Sequence, residues 1–140
     1  MEIGAPRQGD LEAVMSLTGH VLSAERAGPF LRSHLERHHL LVAHEGGEAL
    51  GVLAYRTDFF QCTFVSLVSV HEEHRKRGIA RALYKAVESM SPSPRLYSST
   101  EETNSAAIQM HTALGFSPSG YIDNLPQGYR ELLFYKRVHP

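Results

Sequence analysis

Residues 63–90 read TFVSLVSV, then HEEHRKRG, then IARALYKAVESM, and no other stretch limits the fold so closely. The first run is rich in β-branched and apolar residues and is bounded by polar groups, the pattern of a buried central strand. In the last run Ile79, Leu83, Val87 and Met90 fall on one face of a helix. A strand leading into a helix predicts a crossover to a further strand, and so an α/β architecture. The joining turn carries Arg75, Lys76 and Arg77. The helix macrodipole there prefers negative charge by roughly 0.3–1 kcal/mol, so these cations oppose it. They are either simply solvated or they face an anion. Successive backbone N–H groups at a helix start bind anions without help from side chains. Gly78 would allow close backbone approach, and Ala80 is small enough to leave room above the first turn.

The remaining elements follow from periodicity and breakers. Residues 2–7 predict a short strand, and 11–22 a helix with Asp10 as N-cap. A second helix is expected to begin at Gly28-Pro29. Two apolar runs meet at Glu45-Gly46-Gly47-Glu48, which reads as a hairpin. Ser91-Pro92-Ser93-Pro94 stops the helix after the basic turn. A strand at 95–100, a helix from Asn104 to Gly115, and strands near 116–123 and 130–138 complete the order. The expectation is one α/β (α+β) domain over residues 1–140. Its central sheet would be mixed and mostly antiparallel, with about 6–7 strands flanked by about 4 helices.

Composition narrows the function. The formal charge of −1 gives no general basic field, which speaks against nucleic acid or a membrane surface as partner. The single cysteine, Cys62, rules out an internal disulfide and suits a reducing, cytoplasmic setting. No apolar run approaches the roughly 18 residues of a membrane span. Neither GxxxxGK[ST] nor GxGxxG occurs, so nucleoside triphosphate and Rossmann readings lack support. The pairs His34/His38 and His71/His74 have ligand spacing, but neither shows a third protein ligand in the sequence, and no metal is expected.

Arg75-Lys76-Arg77-Gly78-Ile79-Ala80 matches [RQ]-x-x-G-x-[GA], the coenzyme A signature of the GNAT N-acetyltransferase superfamily. Thr103-Asn104-Ser105-Ala106-Ala107-Ile108 with Leu114-Gly115-Phe116 resembles its second signature, and the element order is similar over nearly the whole chain. The resemblance implies a GNAT-like fold and acetyl-CoA as co-substrate. It implies that the amides of residues 76–81, Arg81 included, hold the pyrophosphate. Val68, Ser69 and Val70 would lie along the pantetheine arm, with Asn104 also near the coenzyme. Strands four and five would splay to admit the thioester. The acceptor would be a primary amine on a small molecule or a protein, and a homodimer is left open. A coenzyme-binding module without catalysis is the rival reading.

Transfer to an amine needs a base, an oxyanion donor and a proton for the thiolate. Relatives carry a tyrosine seven residues beyond the helix-start asparagine, where this chain has His111. Imidazole could supply the proton, although His111 is equally open to being a helix-surface group. Glu101 and Glu102 after strand five, and Glu72 and Glu73 after strand four, are the carboxylates near the expected slot. Glu101 is the candidate base. Ser99 stands where several relatives keep a glutamate. Phe59, Phe60, Tyr121 and Tyr129 are candidates for the acceptor pocket or for packing.

Overall fold

The computed structural model describes all 140 residues. Seven strands form one mixed sheet in the order β1-β2-β3-β4-β5-β7-β6, accompanied by four α-helices, as the sequence leads one to expect. The strands are β1 (Glu2–Gly4), β2 (Leu40–Glu45), β3 (Glu48–Phe59), β4 (Cys62–Val70), β5 (Arg95–Glu101), β6 (Ser117–Ile122) and β7 (Glu131–Arg137). The helices are α1 (Leu11–Gly19), α2 (Ala24–Glu36), α3 (Ile79–Met90) and α4 (Ser105–Ala113). None is long and apolar enough to cross a membrane. Contacts cluster into two compact units, Met1–Arg56 with Ser66–Met90, and Thr57–Val65 with Ser91–Pro140.

In the first unit β1 and β2 pair antiparallel, as do β2 and β3. Gly46 and Gly47 both take positive φ, 59° and 82°, as a tight hairpin turn demands. Every residue from Leu40 to His44 is buried, so both faces of β2 are covered. Val14, Leu17, Leu31, Val42, Val52 and Leu67 form the main apolar cluster. Each such side chain contributes about 1.5–3 kcal/mol when fully buried. Gly51 is closely packed: a Cβ there would lie 3.1 Å from Ile79 Cγ2 and 3.3 Å from the Ser69 carbonyl oxygen.

Three local expectations shift. Asp10 makes no side-chain cap for α1. Its carboxylate accepts instead from the Arg7 N–H (2.6 Å) and meets His44 Nε2 (2.6 Å) in a buried pair. Burial pushes this carboxyl up, but the Arg7 N–H and His44 outweigh it and hold it below its usual value. Helix α2 starts at Ala24 rather than Gly28, because Ser23 turns extended and its carbonyl accepts from both Arg26 and Ala27. Pro29 rides inside α2, where its φ suits a helix and it forfeits one backbone bond. Strand β1 stops at Gly4, ahead of Pro6, which lacks a donor for the ladder.

In the second unit β7 pairs antiparallel with β5 along its whole length, from Arg95↔Arg137 to Glu101↔Glu131. Strand β6 pairs on the other side of β7, with a bulge between Pro118 and Tyr121. Thr63 and Phe64 pair in parallel with Leu96 and Tyr97. Leu96, Leu114, Phe116 and Phe134 are buried. Cys62 is a free, half-buried thiol.

Candidate active site

The turn between β4 and α3 lies in the first unit. Along β4, Leu67 and Ser69 are buried while Val68 and Val70 are half-buried on the opposite face. His71 N–H bonds the Leu50 carbonyl at 2.7 Å, which anchors the end of β4 to β3. A single 3-10 turn, Glu72–His74, follows. Lys76 and Gly78 then adopt positive φ, 66° and 78°. The Gly78 carbonyl accepts from Ala82 N–H at 3.0 Å, so Gly78 is the residue that begins α3. The N–H groups of Ile79, Ala80 and Arg81 therefore belong to the first turn, where no intrahelical carbonyl is available to them. Ile79 itself points inward and is buried.

The side chains of this turn do not all face outward freely. Arg77 Nη2 donates to both Glu45 oxygens (3.0 and 2.9 Å), and Nη1 lies 2.8 Å from His74 Nδ1. The Arg77 guanidinium holds the Glu45 carboxyl below its ordinary value. Arg75 Nε makes a long 3.4 Å bond to the Val70 carbonyl. Arg75, Lys76 and Arg81 are exposed. The turn thus offers an anion its main-chain donors first and a cationic surround second.

Beside it, Glu73 supplies what the sequence did not reveal for the second histidine pair. Donor atoms of His71, Glu73 and His74 all lie within 4.8 Å of one another.

The second unit holds the other expected residues. Asn104 caps α4, its Oδ1 accepting from Ala107 N–H at 3.0 Å. His111 is 1% exposed, not a surface group. Its ring stacks on Phe134 at 4.4 Å and meets Phe116 edge-on at 5.4 Å. Nδ1 lies 2.7 Å from the Ala107 carbonyl oxygen, which can only accept, so Nδ1 carries the proton. Nε2 then accepts from the Ser98 hydroxyl at 2.7 Å. Burial pushes the imidazole pKa down, opposed by the Ala107 bond. At neutral pH this is an uncharged ring whose one proton is spent on the backbone.

On the other face of β5 stand Tyr97, Ser99 and Glu101, each half-buried. Tyr97 lies against Phe59 (5.5 Å) and Tyr135 (5.3 Å), and Phe59 stacks on Phe64 at 4.6 Å. Phe60 is 85% exposed at the β3–β4 hairpin. Tyr121 is exposed too, with Arg130 stacked 3.8 Å above its ring and paired with Asp123. Ser99 Oγ donates to Glu131 Oε2 at 2.7 Å, and Glu131 is the direct cross-strand partner of Glu101. Sequence reading missed Glu131. Only the β5–β7 register brings it to Ser99, and no local pattern encodes that register.

The sequence profile of the acetyltransferase (GNAT) family matches residues 13–116. An acetyltransferase of that family from Bacillus cereus ATCC 10987 is 30% identical, with TM-score 0.88 over 97% of this chain and 96% of that one. The ribosomal-protein-alanine N-acetyltransferase of Brucella melitensis shares the fold at 20% identity, with TM-score 0.79 over 98% and 99%. An aminoglycoside 6'-N-acetyltransferase complexed with coenzyme A does so at 13% identity, with TM-score 0.84 over 100% and 98%. No curated protein sequence matches the chain.

Proposed function

The chain belongs to the GNAT acetyltransferase family, and on that premise we propose that residues 1–140 act as one domain transferring acetyl from acetyl-CoA to a primary amine by direct attack. The observation that carries the coenzyme half is the β4–α3 turn. Left-handed Lys76 and Gly78 bring the chain into a helix start whose first N–H groups have no helical acceptor. The amides of residues 76–81 are assigned to the diphosphate, as the charge-assisted N–H contacts that such a terminus makes with anions. Arg75, Lys76 and Arg81 add electrostatic attraction, while Arg77 braces the turn through Glu45. The half-buried edge of Val68 and Val70 suits backbone bonds to the pantetheine arm, and Asn104, already a cap, is assigned to the coenzyme as well.

For the acceptor, we place the base on Glu101 with Glu131. Two carboxylates directly opposed across a strand pair repel each other. A substrate ammonium between them relieves that repulsion and then gives up its proton. The neutral amine attacks the thioester carbonyl, the tetrahedral oxyanion collapses as the C–S bond breaks, and the proton lost by the new amide nitrogen passes through water to the departing thiolate. No metal is needed for these steps. Relatives of the same fold are named for amines as different as a ribosomal-protein alanine and an aminoglycoside, so protein and small-molecule amines both belong in the assay. The unpaired Cys62 suits a cytoplasmic setting.

His111 enters as a positioning residue, since its ring proton is held by Ala107 and its free lone pair by Ser98. The test is release of free thiol from acetyl-CoA across a panel of amines and peptides. Turnover on an amine supports the assignment. Acetyl-CoA binding with no turnover on any amine would leave a coenzyme-binding module.

A further inference from the structure

His71 Nδ1 accepts from the Glu73 N–H at 3.2 Å and caps the 3-10 turn, which leaves Nε2 as its ligand atom. Acetyl transfer gives His71, Glu73 and His74 no part, and we infer that they form a site for a divalent transition metal, Zn²⁺, in competition with Arg77. Two imidazoles and one carboxylate are a nitrogen-rich, borderline donor set that suits zinc. Mg²⁺ and Ca²⁺ require oxygen ligands throughout. Three protein ligands leave a fourth position open.

The local backbone explains why these side chains converge. His71 precedes and His74 ends a single 3-10 turn. In that geometry side chains three apart eclipse one another. Their rings stand 5.3 Å apart. The bond from His71 N–H to Leu50 fixes the start of the turn on β3, so one side of the site is held by the sheet. Tetrahedral zinc with bonds of about 2.0–2.2 Å sets its donors roughly 3.3 Å apart, so a cluster whose donors lie within 4.8 Å of one another must close by at most about 1.5 Å. Exposed Glu73 and half-buried His71 and His74 can do this by side-chain rotation. A cavity of about 400 Å³ bordered by Glu12, Ser16, Glu48 and His71 opens alongside. It brings the carboxylates of Glu12 and Glu48 to the His71 side of the cluster.

Arg77 is the competitor because of its place at His74. A guanidinium only donates, so His74 Nδ1 accepts from Arg77 and the neutral ring carries its proton on Nε2. Zinc at Nδ1 would take that lone pair directly. Zinc at Nε2 would move the proton to Nδ1, against the guanidinium N–H. Either route breaks the bond, so ligation by His74 and the contact with Arg77 exclude each other. The site does not depend on the acetyl-transfer assignment.

The experiment is Zn²⁺ titration of the untagged, metal-free chain against a chromophoric chelator, with circular dichroism to check each variant's fold. One saturable site is expected. His71→Ala and His74→Ala should each weaken it by tenfold or more, and Glu73→Gln should weaken it severalfold. Arg77→Gln should tighten it by about tenfold, the scale of effect that groups around a metal's ligands exert. Zinc affinity unchanged in folded His71→Ala and His74→Ala would overturn the site, as would no saturable binding in the wild type. An unchanged affinity in Arg77→Gln would overturn the competition.

Discussion

Ser98 Oγ donates to His111 Nε2 at 2.7 Å, tying the middle of β5 to the second turn of α4 inside a buried, aromatic surround. His111→Ala empties that space and leaves the Ser98 hydroxyl without this acceptor. It should cost about 2–4 kcal/mol of stability. If the ring only positions Ser98, turnover per folded molecule should stay within about tenfold of wild type. A proton donor to the thiolate would lose about 10²–10⁴-fold. Thermal melts and thiol-release rates at a temperature where the variant is folded distinguish the two.

The same ring predicts a pH effect of definite sign. Its pKa is lowered in the folded state, so the unfolded chain binds the proton more readily. The stabilisation is full above the unfolded value of about 6.5 and is lost as pH falls from there towards the lowered folded value. Denaturant midpoints should drop over that window in the wild type, and the drop should shrink in His111→Phe.

Gly78 holds φ at 78° with open space around its Cα, so strain and not collision penalises a side chain there. Gly78→Ala should cost about 1 kcal/mol of stability while acetyl-CoA still binds measurably. Gly78→Glu adds a negative charge at the position assigned to the diphosphate, and calorimetric binding of acetyl-CoA should vanish. Unchanged affinity in folded Gly78→Glu would remove the turn from the coenzyme site.

Gly51 presents the opposite case, ordinary φ and a tight fit. A Cβ meets Ile79 Cγ2 at 3.1 Å and the Ser69 carbonyl oxygen at 3.3 Å. Gly51→Val should destabilise by about 1–3 kcal/mol and shift the start of α3 against β3. The expected mark is a lower melting temperature together with weaker acetyl-CoA binding, although residue 51 lies outside the turn.

Glu131→Gln keeps the acceptor for the Ser99 hydroxyl but removes the carboxylate opposite Glu101. Turnover should fall by about 10²–10⁴-fold with acetyl-CoA affinity nearly unchanged. Equal turnover in Glu131→Gln and Glu101→Gln to that of the wild type would leave neither as the base.

Much of this architecture could be read from local patterns. The strand–turn–helix at 63–90, the Gly46-Gly47 hairpin and the Asn104 cap each have a short-range cause, and each is present. What escaped depends on partners far along the chain. Asp10 looks like a cap until His44, 34 residues away, claims its carboxylate. Arg77 looks like a free cation until strand pairing sets Glu45, 32 residues away, beneath it. Ser99 and Glu131 are likewise 32 apart and meet only through the β5–β7 register. His111 was expected near a slot or on a surface, and hydrophobic burial among aromatics from later in the chain decided its environment. The pairing of His71 with His74 was visible. Glu73 as a third donor was not, since neighbours one or two apart converge only once the 3-10 turn is known.

The binding turn proposed between β4 and α3, built from main-chain N–H groups, has an unusual relation to mutation. No codon change at Arg75 or Arg81 other than one to proline can delete a peptide donor, so drift there alters attraction and leaves the donor geometry in place. The positions where drift is punished are ones that never touch a ligand through a side chain: Gly78, which sets the path, and Gly51, which lets Ile79 seat beneath it. A saturation library selected for acetyl-CoA binding should therefore return varied residues at 75 and 81 and mainly small ones, glycine foremost, at 51 and 78.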